Sequence, residues 1–310
     1  MIIVEQRSWL KQLSPWRGTA LQRIWQRLAL VMAAAAVTTW LHVHFEVKLD
    51  VLSPLPFSLV GVALGIFLGF RNNASYDRFW EGRKLWGELV NTSRSFTRQV
   101  LTLVEPAAGA TTPDARHRSL VHGAAAFVHL LRYHLRSESA GSEVTGLLDE
   151  ATRRKVLAAH HPPVAMVEEL GEILAQARRE GRLDRHLVPV LEISLTSFVH
   201  VLGACERIRN TPLPASYSVL IHRIVAIYAF TLPFGIVDGI GVFTPVVVGF
   251  IAYALLGLDA IGDELENPFG FDPNDLPLAT LSRSIERNLR ASLGETELPP
   301  ALVPERGVLL

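Results

Sequence analysis

The chain has 310 residues, 49% of them hydrophobic, and a mean hydropathy of +0.26, higher than a soluble globular composition gives. Lys plus Arg and Asp plus Glu number 30 each, so there is no global basic field of the kind that draws nucleic acid. The single cysteine, Cys205, allows no intrachain disulfide and lacks the companion spacings of a zinc site; it reads as a buried apolar filler.

Residues 1–23 carry Arg7, Lys11, Arg17 and Arg23 and no apolar region followed by a small-residue cleavage site, so the first apolar segment is expected to remain as an anchor. Four stretches approach the length of about 20 residues that a helix needs to cross a bilayer: 24–43, 51–70, 219–237 and 240–258. The third opens on His222 and Arg223 and is interrupted by Pro233. Only Asp238 and Gly239 separate it from the fourth, which predicts a tight hairpin.

Between the two pairs, apolar positions recur at helical spacing, as in Leu120, Ala124, Phe127 and Leu131. A helical domain is expected there, punctuated at 106–114, 137–143 and the HHPP run at 160–163. Arg7, Lys11, Arg17, Arg23 and Arg27 precede the first span and Arg71, Arg78, Arg83 and Lys84 follow the second, whereas the loop between them has only Lys48 against Glu46 and Asp50. Positive charge stays on the cytosolic side. The predicted layout is a cytosolic segment at 1–23, two membrane helices at 24–70, a cytosolic helical domain at 71–218, two more membrane helices at 219–260, and a cytosolic strap and tail at 261–310. The fold class is therefore all-α membrane protein, in a cell inner membrane with both termini cytosolic.

In the second span Gly61, Gly65 and Gly69 share one helix face, and small residues at this spacing let helices approach closely in lipid. Rotated by about 100°, Val62, Ile66 and Phe70 form a stripe of increasing bulk. On periodicity alone, two arrangements fit. Either the glycines pack inside one chain with the stripe against lipid, or they pack between subunits while the stripe narrows a pore, since hydrophobic constrictions can gate by dewetting. Beyond Phe70 the pattern runs on without a breaker: Arg71 is placed to snorkel at the interface, and Asp77 and Glu81 are spaced for pairs with Arg78, Arg83 and Lys84. Trp80 and Trp86 fit either interfacial anchors or packing between helices.

The run FRNNASYDRFWEGRKLWGELVNTSR after the second span, TPLPASY before the third, and ENPFGFDPNDLPL after the fourth together resemble the bestrophin family in its bacterial branch, over about residues 1–292. The resemblance implies a homopentameric ion channel with lipid and permeant monovalent ions as partners. Its central pore would have a neck at Val62, Ile66 and Phe70. The family at large conducts chloride, and a bacterial branch conducts sodium and related cations; an uncharged neck has no fixed charge to choose between them. In the animal branch an acidic run after NPFG binds calcium. Here Asp272 and Asp275 remain at those positions, and fewer carboxylates mean a weaker calcium site, so no cofactor is expected. The alternative for these two residues is turn capping in a strap.

The eleven histidines form no HExxH pattern. His160 and His161 read as solvated loop residues, His42 and His44 as residues at the outer mouth, where a metal or a pH response is conceivable, and His222 with Arg223 as interface markers. No catalytic residue is assigned, since no phosphate-cradling loop or nucleophile elbow is present, and no metal ligand is assigned. The functional alternatives are a secondary transporter, which would need inverted repeats, and a non-conducting membrane scaffold.

Overall fold

The computed structural model describes residues 18–45, 53–304 and 307–309. Every regular element of appreciable length among them is a helix: α1 (Ala20–Phe45), α2 (Pro54–Leu103), α3 (Ala115–Arg136), α4 (Ser142–Leu147) and α5 (Glu150–Ala158). There follow α6 (Pro162–Arg179), α7 (Val188–Asn210), α8 (Ala215–Ile240), α9 (Thr244–Glu266) and α10 (Leu278–Ser292). Among the described residues, two compact units result, one built from those up to Trp80 with 212–268, the other from 81–211 with those from Phe269 onward.

The first unit holds the four expected spans; α2 starts at Pro54 and runs unbroken far past Phe70 to Leu103, while α9 starts at Thr244 and ends at Glu266. Its interior is formed by Ile24, Val31 and Ala35 of α1, Leu64 and Leu68 of α2, Val225 and Leu232 of α8, and Val248, Ala252 and Leu256 of α9. Intervals of four and seven residues put each set on one face. Two expectations about α8 are corrected. Pro233 does not interrupt the helix but is buried within it. The lost backbone bond is tolerable where neighbouring helices enclose the backbone. The break after it falls not at Asp238 and Gly239 but at Gly241, whose φ of +60° only glycine takes readily, leading into a short 3-10 turn, Gly241–Phe243.

The second unit is built on α3, whose Leu120, Ala124, Phe127 and Leu131 are fully buried as their spacing predicts. The breaker segment before it supplies a capping box: the Asp114 side chain accepts from the Arg116 and His117 N–H groups, and the His117 ring accepts from the Asp114 N–H. Ser137 ends the helix in the left-handed conformation. By length and hydropathy α7 also qualifies as a membrane span. Here it is a core helix: Leu191, Leu195, Phe198, Leu202 and Cys205 are buried, and the Phe198 ring centroid lies 5.0 Å from that of Phe127 and 5.8 Å from that of Phe96. Cys205 is the buried filler that its sequence context suggested.

The strap before α10 packs within this same unit. Phe269 is buried against Gly82, where a Cβ would lie 3.1 Å from its ring. Arg136 donates to the carbonyls of Phe269 at 3.3 Å and Leu276 at 3.5 Å and covers the Phe271 ring at 4.7 Å. Asp275 caps the turn, its Oδ2 accepting from the Asp272 N–H at 2.8 Å.

Candidate functional site

The geometry of α2 separates its faces cleanly. At about 100° per residue, Leu64, Leu68, Arg71 and Ser75 fall on one face, and all four are buried. Val62, Ile66 and Phe70 lie about 160–240° round from that face and are 66%, 53% and 63% exposed. The glycines flank the stripe. Gly61 faces the Tyr228 hydroxyl, so close that a Cβ would stand 2.6 Å from it, whereas Gly65 and Gly69 have nothing within 4 Å. Packing of all three glycines inside one chain is therefore not what is found: only Gly61 serves that role.

The buried face is anchored by a charge cluster that sequence reasoning missed. Arg71, expected to snorkel, is instead fully buried. Its Nη1 donates to Asp259 Oδ1 at 2.7 Å, and its Nη2 donates to Asp263 Oδ1. His222 Nδ1 donates to Asp259 Oδ2 at 2.6 Å, and its Nε2 lies 3.5 Å from Asp263 Oδ1. His222 is thus a member of this cluster rather than only an interface marker. Gly262 makes room for it, since a Cβ there would lie 2.5 Å from Asn72 Oδ1 and 3.5 Å from Arg71 Cζ. Burying a guanidinium is costly unless it is paired and hydrogen-bonded, so this cluster fixes the rotation of α2 at the residue after Phe70. Turning Arg71 inward turns the Val62, Ile66, Phe70 stripe outward. The sequence signal for this cluster is Asp259 and Asp263 at i, i+4 spacing directly after the fourth apolar run.

Other expected residues fall in different places. Glu81 pairs with Arg207, and Arg78 Nε donates to the Glu266 carbonyl at 3.1 Å. Trp86 is buried, while Trp80 is exposed and stacks on Tyr76. His42 Nδ1 lies 3.3 Å from Asp238 Oδ1, and His44 stacks on Trp40. Lys48, Glu46 and Asp50 lie outside the described residues, as do Arg7, Lys11 and Arg17.

His161 is no solvated loop residue. Pro162 and Pro163 open α6 without N–H groups, so Val164 offers its first donor, which the His161 Nδ1 accepts at 3.4 Å. Its Nε2 donates to Glu206 Oε1 at 2.7 Å, and His134 Nε2 donates to the same oxygen at 2.7 Å. Burial lowers the basicity of His134. Burial pushes the Glu206 carboxyl up, but the bonds from His161 and His134 outweigh it and hold the group below its ordinary value.

Two apolar helix pairs joined to a helical unit define a helical membrane protein. Comparison with known proteins makes this specific. The family model described as Bacterial/Fungal Bestrophin protein matches residues 1–291. A voltage-dependent anion channel-forming protein of Ralstonia nicotianae is 43% identical over 298 residues, 96% of each chain. One of the same name from Escherichia coli is 37% identical over 311 residues, 99% of this chain and 98% of that one. Among solved structures, a bacterial bestrophin homologue from Klebsiella pneumoniae superposes with a TM-score of 0.80 at 34% identity, covering 88% of this chain and 100% of that one. The chain belongs to the bestrophin family.

Proposed function

We propose that five copies of this chain surround a central pore whose neck is formed by Val62, Ile66 and Phe70 of each α2, and that small monovalent ions cross it passively. The chain is an ion channel of the bestrophin family; the assembly, the neck and the permeant ion are the further reading. One observation carries it: the uncharged stripe lies opposite the face that Arg71 anchors and is exposed along its whole length. The open glycines Gly65 and Gly69 on its flank suit close approach of a neighbouring helix. Relatives named as anion channel-forming proteins favour chloride over sodium as the main permeant ion.

The orientation follows from charge. Arg23 and Arg27 at the start of α1, and Arg71, Arg78, Arg83 and Lys84 beyond the second span, support a cytosolic side for both termini and the helical unit, and we read the membrane as an inner membrane. Calcium is not required in this reading. Asp275 Oδ2 accepts from the Asp272 N–H within the strap's own turn, which supports the turn-capping role for Asp275.

Planar bilayer recordings test the neck. Ile66→Ala and Phe70→Ala are expected to raise conductance or shift selectivity, and unchanged currents in both remove the assignment. The sign of the reversal potential in asymmetric sodium chloride decides the ion: an anion channel and a cation channel reverse on opposite sides of zero.

A further inference from the structure

His134, His161 and Glu206 come from three separate helices or their caps and converge on one point. His134 lies in the last turn of α3, His161 caps α6, and Glu206 lies in the last turns of α7. Both imidazole Nε2 atoms stand 2.7 Å from the same carboxylate oxygen, the ring centroids are 4.5 Å apart, and all three ligand atoms lie within 4.8 Å of one another. We propose that these residues form a binding site for a divalent transition-metal ion of the zinc type.

The donor set fits that class. Two imidazoles and one carboxylate leave a fourth position for water, as in accessible zinc sites, and imidazole nitrogen suits zinc over calcium or magnesium, which take oxygen. A tetrahedral ion at the usual bond lengths separates its ligand atoms by about 3.3 Å. The two nitrogens need to withdraw from Glu206 Oε1 by only about half an ångström to admit it. All three side chains are partly exposed, so an ion and its water can reach them.

The scaffold around the ligands is already held. Arg209 Nη1 donates to the His134 carbonyl at 2.6 Å and its Nη2 to Ser137 Oγ at 2.6 Å, which fixes the end of α3 against α7 and occupies the nearest guanidinium. Outer partners of this kind orient metal ligands. Coordination at His161 Nε2 moves the ring proton to Nδ1, which trades the long 3.4 Å cap to Val164 for a metal bond. The other cluster of comparable shape, His222 with Asp259 and Asp263, is less suited because Arg71 already donates to both carboxylates.

The test uses full-length protein in detergent, stripped of metal with a chelator and titrated calorimetrically with zinc chloride. Visible absorption of the cobalt(II) form reports coordination. Wild type is expected to bind one zinc per chain at this site and to give the intense bands of four-coordinate cobalt. His161→Ala and Glu206→Gln, each checked for helical content, should each weaken zinc binding by about tenfold or more, since even outer partners cost 10–100-fold. Glu206→Gln keeps an oxygen that both imidazoles can reach, so its effect does not depend on loss of folding. Absence of saturable binding in wild type overturns the proposal. So does binding that persists unchanged in either variant, or binding lost only in His222→Ala.

Discussion

Arg71 shows what one side chain decides. Its guanidinium is fully buried and Asp259 is nearly so, whereas the Asp263 side chain is 40% exposed. Removing one partner of a buried pair costs about 3–5 kcal/mol, and a pair open to solvent is worth about 0–1 kcal/mol. Asp259→Asn should therefore lower the melting temperature in detergent far more than Asp263→Asn does, and equal effects would contradict this account. In the helical unit, burial raises the Glu143 carboxyl, but the Tyr133 hydroxyl, its own backbone N–H and Arg132 outweigh it and hold it at about 2, against an ordinary 4.5. A pKa lowered on folding contributes stability that is complete above the unfolded value and is lost as pH falls through the folded one. Thermal melts should show a loss between about pH 4.5 and 2, and Glu143→Gln should flatten that slope. The Arg71 pairing was only half legible: the i, i+4 spacing of Asp259 and Asp263 marks the carboxylates, but nothing local names a partner 188 positions away. The buried Cys205 was legible, since an isolated apolar side chain needs no partner to be explained.

At the level of helices, the sequence pattern was most informative where one face does one thing. The α3 stripe and the four apolar spans were readable because burial repeats at the helical period. The end of α8 was less so: Asp238 and Gly239 look like a turn, but the backbone reverses at Gly241, the residue with positive φ. Glycines likewise share a letter and differ in use. A Cβ at Gly235 would fall on the Phe57 ring, whereas Gly65 and Gly69 open onto empty space. Overpacking of this kind costs about 1–3 kcal/mol. Gly235→Ala is thus expected to destabilise the chain itself, read as a lower melting temperature. By contrast, Gly65→Ala and Gly69→Ala should leave each chain folded and weaken only its association with other copies, read as a smaller mass by light scattering in detergent.

For the whole molecule, hydropathy was enough to find the membrane, while the channel came from motifs and was carried by relatives over nearly the full length. The proposed assembly of five copies predicts a cross-linked ladder ending at the pentamer on denaturing gels, and a ladder ending at the dimer would overturn it. In the proposed neck, the uncharged stripe of α2 has a consequence for which ions fare best. Valine, isoleucine and phenylalanine side chains offer no oxygen or nitrogen to an ion that sheds water to pass between them. Whatever hydration is surrendered there is not repaid, so the toll depends on how tightly each ion holds its water. Among anions of one charge, the larger and more loosely hydrated, such as iodide or nitrate, should pass more readily than chloride, and fluoride least. Because nothing in the stripe takes up or releases a proton, that ranking should stay the same from mildly acidic to mildly alkaline solution.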